Sequence, residues 1–168
     1  HKCKVLNRSN ICAGYASVET RYEMQDTLTI RTAKRTDLID VVKLWKDLMD
    51  FHGKIDPLFT RSEDALDKFH DFICKKLDSE KAEIFIAEKA GRIIGYSFIE
   101  ISTYPPVFKR DEYGSASQEV VADENRKKGI GRALFNTSMK WFSKQGMNRV
   151  ELRVAYQNNQ ARGFWEKM

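Results

Sequence analysis

Cysteine, histidine and proline are scarce in this sequence, at three each in 168 residues. Cys3, Cys12 and Cys74 form an odd, scattered set without a C-x-x-C, which excludes a disulfide framework and gives no basis for a metal site. Such sparse thiols suit a reducing compartment, so the chain is expected in the cytoplasm. No apolar run approaches the roughly 20 residues that cross a bilayer. His1 to Asn10 is polar and basic, unlike a secretion signal. No Gly-Lys-Ser/Thr is present, and the one glycine pair that opens a helical pattern lacks the first glycine of G-x-G-x-x-G. Nucleotidase P-loops and Rossmann sites are excluded accordingly. Helix-turn-helix spacing, RNA-binding aromatics and zinc ligands are also missing, which ranks a nucleic-acid module low.

What remains is the composition of a globular domain, 42% hydrophobic and 32% charged. The formal net charge of +5 and a pI near 9.1 favour an anionic partner, which composition alone does not identify.

Residues 1–23 have weak periodicity and read as a leader or arm. From Met24 the pattern sharpens, placing one domain over 24–168. Leu28–Thr32 reads as a strand. Thr36 and Asp37 are helix-start residues, and Leu38, Val41, Val42, Trp45, Leu48 and Met49 recur at helical spacing over 37–50. Asp56-Pro57 breaks the chain. Ser62, Glu63 and Asp64 open a second helix with Leu66, Phe69, Ile73 and Leu77 as its apolar stripe. Residues 83–89 and 92–102 read as strands joined at Ala90-Gly91 in a hairpin. A loop over 103–113 and a strand over 115–122 follow. A helix then begins at Gly129-Ile130-Gly131, with Ile130, Leu134, Thr137 and Trp141 on one face and Gly146 as its C-terminal cap. Val150, Leu152 and Val154 alternate as a strand, and Asn158 or Asn159 caps a last helix. The order β-α-α-β-β-β-α-β-α defines an α/β or α+β domain.

The chemically informative stretch is Val120 to Leu134. A strand runs into Arg126-Lys127-Lys128-Gly129-Ile130-Gly131-Arg132, where a helix starts. Glycines let backbone approach a ligand closely, amides at a helix N-terminus favour anions, and the basic residues add charge. The combination suits a pyrophosphate; a basic turn with a glycine-assisted helix start is the alternative.

R-x-x-G-x-G between strand and helix resembles the acyl-CoA signature of the GNAT acetyltransferases. Asn158-x-x-Ala161-x-x-Phe164-Trp165-Glu166-Lys167 is similar to that family's N-x-x-A-x-x-F-Y-x-K segment. Thr29-Ile30-Arg31-x-Ala33-x-x-x-Asp37 resembles its first strand and helix. The resemblance implies a mixed, mainly antiparallel sheet flanked by helices, with acetyl-CoA as cofactor and an amine, small molecule or protein, as acceptor. It places the pyrophosphate on the amides of Arg126 to Arg132. The pantetheine arm would pair with the backbone of Val120, Val121 and Ala122, and Asn158, Ala161, Phe164 and Trp165 would contact the cofactor from the last helix. A backbone amide near Val121 would stabilise the oxyanion as the amine attacks directly.

The sequence departs from the pattern in three places. Trp165 stands where the family has a tyrosine that protonates the departing thiolate, and an indole cannot do so. A thiol of pKa ~8.5 leaves readily as its anion, so water or Tyr156 suffices as proton source. The family's glutamate on the strand before the phosphate turn matches Ser117. Glu119, two residues on and hence on the same face, becomes the first choice of base, and Glu100 the second. The family's last strands lie beyond Met168, so the sheet is expected to be incomplete unless residues 1–23, or a neighbouring chain as in a homodimer, fills the gap. Asp50, His52, Asp56 and Tyr104 are candidates to face the acceptor.

Overall fold

Ile, Val, Phe and Tyr crowd the middle of the chain, and these residues make its long strands. A computed structural model of the protein describes residues 27–109 and 112–168. The expected leader, Cys3 and Cys12 lie outside those residues. In chain order the elements are β1 (Thr29–Thr32), α1 (Leu38–Ile55), α2 (Ala65–Leu77), β2 (Ala82–Lys89), β3 (Arg92–Thr103), β4 (Glu112–Val121), α3 (Ile130–Lys144), β5 (Val150–Leu152) and α4 (Asn159–Trp165). They form one sheet of order β1-β2-β3-β4-β5, antiparallel except where β5 lies parallel to β4. That mixed, mainly antiparallel architecture is the expected one.

Ala90 and Gly91, at φ 49° and 71°, both take the left-handed conformation that matches a two-residue hairpin to the twist of its strands. Side chains then alternate across the sheet. Ile84, Ile86, Tyr96, Phe98 and Val120 pack with Leu38, Val41, Phe69 and Ile73 of α1 and α2. Phe85, Ala87 and Ile99 pack on the other face with Ile130, Leu134 and Phe142 of α3. Trp45 stacks on Phe69 with centroids 4.1 Å apart, joining α1 to α2. The opening block has a mechanical role. Arg31 on β1 reaches both oxygens of Asp37 at 2.7 and 3.1 Å and Glu88 at 2.9 Å, while Asp37 also accepts the Lys34 N–H. The guanidinium holds the Asp37 carboxyl below the usual carboxylate range.

Three boundaries differ from expectation by more than one residue, and so does one helix face. α1 runs to Ile55 rather than 50, because the break comes at Asp56, extended ahead of Pro57. β4 starts at Glu112, inside the expected loop. β5 stops at Leu152 and does not reach Val154. The buried line of α3 is Ile130, Leu134, Ser138 and Phe142, with Thr137 and Trp141 flanking it. A buried serine is acceptable there because Ser138 meets Ser97 at 3.1 Å and donates to the Leu134 carbonyl.

Gly114 is where α3 lies closest to the sheet: a Cβ there would stand 2.7 Å from the Phe142 ring. Gly114→Ala should therefore destabilise the protein by about 1–3 kcal/mol by overpacking. Chemical denaturation should show that loss, and Gly114→Ala combined with Phe142→Leu should recover part of it.

Candidate active site at the fork between two strands

Backbone pairing breaks down at one place in the sheet. β4 meets β5 only through Gly114, Ser115 and Ala116, opposite Val150, Glu151 and Leu152. Its last residues, 118–121, keep β3 on one side and, among the described residues, have no strand on the other. The local cause is a bulge. Phe98 and Ile99 of β3 oppose Gln118 and Ala116, so Ser117 is an extra residue that bends β4.

The bulge also resets the faces. Ser117 donates to Glu100 at 3.3 Å, and the Tyr96 hydroxyl donates to Gln118 at 2.7 Å, so two successive side chains turn toward α1 and α2. Beyond them Glu119 and Val121 face α3. This corrects the expectation that Ser117 and Glu119 share a face, which strict alternation would require. The Ala122 N–H bonds the Ile94 carbonyl, so alternation directs the N–H and C=O of Val121 into the fork.

At the end of β4 the chain curls. Lys127 and Gly129 are left-handed, at φ 60° and 81°, just ahead of α3. A side chain at Gly129 would meet nothing within 4 Å, so its glycine answers to φ and to open space. At Gly131 a Cβ would lie 3.1 Å from Glu119 Oε1 and 3.3 Å from Phe164, so this glycine lets β4 and α4 close in on the helix start. Arg126 points inward: its Nε donates to the Val121 carbonyl at 3.0 Å, and it reaches Asp123 at 2.6 Å and Gln160 of α4 at 3.1 Å. It thereby ties β4 to α4 across the fork. Lys128 donates to the Glu124 carbonyl at 2.7 Å.

The opposite wall is α4. Asn158 is 8% exposed, and its Oδ1 accepts the Ala161 N–H at 3.0 Å, the expected cap. Its Nδ2 lies 3.3 Å from His52 Nε2 on α1, a link across the molecule. Phe164 and Trp165 pack edge to face, and Trp165 meets Phe135 of α3 in the same manner with centroids 5.3 Å apart. Tyr156 is 83% exposed, with Arg162 over its ring.

Two cavities adjoin these elements. One of about 300 Å³ is lined by Glu100, Ser115, Ser117, Tyr113, Glu151 and Arg153, among others, where β4 and β5 part. Lys76 pairs with Glu100 at 2.5 Å, and Tyr104, stacked on Tyr113, donates to Glu151. A second, of about 230 Å³, is lined by His52, Asp56, Phe59 and Tyr156 with their neighbours. His52, Asp56 and Tyr104 are thus all near cavities, whereas Asp50 is held by Lys46 and Arg61. Sequence reading missed Glu151, which looked like the polar half of an alternating strand, and Gln160. His70 and Cys74 approach to 3.8 Å on α2, but among the described residues no group of three possible ligands gathers around a metal position.

An unpaired strand edge leading into a left-handed turn, a helix start and open space can receive an extended chain ending in phosphate. The fold, with its fork, is that of the acetyltransferases. The chain belongs to the GNAT acetyltransferases: residues 30–168 match the family's acetyltransferase (GNAT) domain. It is 24% identical over 147 residues to the uncharacterized N-acetyltransferase MJ1207 of Methanocaldococcus jannaschii, covering 88% of this chain but 62% of that protein. The BH1408 protein of Bacillus halodurans superposes with a TM-score of 0.73 at 23% identity, over 83% of this chain and 90% of that one. A predicted acetyltransferase from Clostridium acetobutylicum, solved with acetyl-CoA, superposes with a TM-score of 0.69 at 16% identity, over 83% and 88%. No helix among the described residues is long and apolar enough to cross a membrane.

Glu119 is half-buried against α3, and burial pushes its carboxyl up to about 8. The folded state therefore binds the proton more tightly than the unfolded chain. Its stabilising effect is complete below the ordinary carboxylate range and is lost as pH rises toward 8. Glu119→Gln should remove this dependence. The melting temperature of the variant minus that of the parent should grow between pH 5 and pH 8 and then level off; a constant difference would contradict the assignment.

Proposed function

We propose that this domain is an N-acetyltransferase that moves the acetyl group of acetyl-CoA to a primary amine by direct attack in a ternary complex. The observation that carries this reading is the unpaired edge of β4 running straight into the turn at Lys127 to Gly131. Residues 126–132 would hold the pyrophosphate, Val121 would offer its N–H and C=O to the pantetheine arm, and Asn158 would contact the arm from α4. Bound there, acetyl-CoA supplies an acyl group already activated as a thioester.

The acceptor would enter the cavity where β4 and β5 part. An alkylammonium of pKa ~10 must lose a proton before it can attack. Glu100 is the better-placed base, because it lines that cavity and takes a hydrogen bond from Ser117, while Glu119 faces α3. A backbone N–H near Val121 that the arm leaves free would stabilise the developing oxyanion. Water or the exposed Tyr156 would return a proton to the thiolate. Trp165, packed on Phe135, serves as structure.

Acetyl-CoA should bind with measurable heat, and an amine panel should contain acceptors that release CoA thiol steadily. Replacing Gly129 and Gly131 together by valine should abolish binding in a folded protein. Glu100→Gln should lower kcat by about 10²- to 10⁴-fold with acetyl-CoA affinity retained. Binding without turnover on any amine would leave a CoA-binding domain and sink the enzymatic reading.

Trp165→Phe should keep kcat within about tenfold of the parent, since the thiolate leaves without a strong acid. A hundredfold loss in stopped-flow thiol release, at unchanged cofactor affinity, would give the indole a part in the chemistry.

A further inference from the structure

His52 is a half-buried imidazole held between two aromatic rings, Phe51 and Phe59, with centroids 5.8 and 5.7 Å away. Its partner is the carboxamide of Asn158, which is 106 residues distant in sequence. The direction of that hydrogen bond is fixed by the other end of the amide. Oδ1 already accepts the Ala161 N–H, so Nδ2 is the atom facing His52, and it can only donate. Nε2 must then be the unprotonated nitrogen, with the hydrogen on Nδ1. A protonated imidazole would set one N–H against another and break the link.

We propose that His52 is a positioning residue for the cofactor site: its neutral imidazole holds the Asn158 carboxamide in the orientation that meets the pantetheine arm. This rests on the function proposed above. With one N–H given to His52 and one lone pair to Ala161, Asn158 retains one N–H and one lone pair for a ligand. His52 also connects the end of α1 to the start of α4, two elements that no strand pairing joins. Asp56, from the turn after α1, and Tyr156, from the β5–α4 connection, are the titratable side chains that line the neighbouring cavity with it. Asp56 is engaged by the Leu58 N–H at 3.0 Å. Burial lowers the imidazole's proton affinity, which keeps the accepting form in place at neutral pH. The link is therefore intact above the ordinary histidine range and is lost as pH falls through the lowered value.

The decisive comparison is acetyl-CoA affinity by calorimetry in the parent, His52→Gln and His52→Ala, from pH 7.5 down through the pH at which the ¹⁵N spectrum of the parent shows His52 taking up its proton. Glutamine can offer an acceptor oxygen throughout. We expect His52→Gln to bind like the parent at pH 7.5 and to retain that affinity through this titration, where the parent weakens. His52→Ala should bind roughly tenfold more weakly at pH 7.5, the scale of one lost buried hydrogen bond. Ionisation of the cofactor's own phosphates is common to all three proteins and cancels in the comparison. A second readout needs no ligand: the ¹⁵N spectrum of the free parent should show His52 as the Nδ1–H tautomer at neutral pH. Equal affinities for the parent and His52→Ala, the same pH dependence in parent and His52→Gln, or an Nε2–H tautomer would each overturn the proposal. Failure of the parent itself to bind acetyl-CoA would instead overturn the functional reading.

Discussion

A strand in a sheet must find partners for its N–H and C=O groups on both sides, and β4 does so on the β5 side only as far as Ala116. The extra residue at Ser117 sets this limit. It bends β4 away from β5, turns Ser117 and Gln118 to one face, and sends Glu119 to the other. The fork leaves backbone unpaired, which suits an extended ligand of the kind proposed. A carboxylate on β3, Glu100, rather than one on β4, reaches the space where the strands part.

An open fork needs ties across it, and the chain supplies polar ones. Arg126 spans from the Val121 carbonyl to Gln160, and Asn158 spans from its own helix to His52. Between them Gly131 allows Phe164 to approach the start of α3. The basic turn is thus more than a patch of charge. Arg126 and Lys128 donate to the backbone carbonyls of Val121 and Glu124, which fixes the turn ahead of α3. The raised carboxyl of Glu119 fits the same arrangement, since a neutral acid beside the helix start proposed to hold phosphate repels nothing.

The element order was legible because each element carries its own periodicity: the stripe from Leu38 to Met49 for α1, the Ile-Phe-Tyr alternation for β2 and β3, Gly129 and Gly131 for the start of α3. The turn proposed for the cofactor was legible for a related reason. Left-handed turns and helix starts are local, and glycines report them. The placing of the candidate carboxylates was not. Whether Glu119 or Glu100 faces the fork depends on a bulge at Ser117, and no residue type there marks it, since serine fits a regular strand as well. The His52–Asn158 link was hidden for another reason. Asn158 was recognisable as a cap, but nothing along the sequence tells which side chain 106 residues away meets the other end of its amide.

The parallel pairing of β4 and β5 has a consequence for the order in which structure is gained and lost. The hairpins β2–β3 and β3–β4 close over short connections, whereas β5 joins only after α3 has crossed the sheet, and then by three residues. Loop closure is costly and the reward is small, so β5 and α4 are the last part of the sheet to zip and the first to fray. The fork therefore opens locally, well short of global unfolding. Any molecule that spans both limbs draws this equilibrium toward the closed form by mass action. In amide hydrogen exchange the slowing on ligand addition would be concentrated in Val150 to Trp165, while β2 and β3 exchange at their own pace.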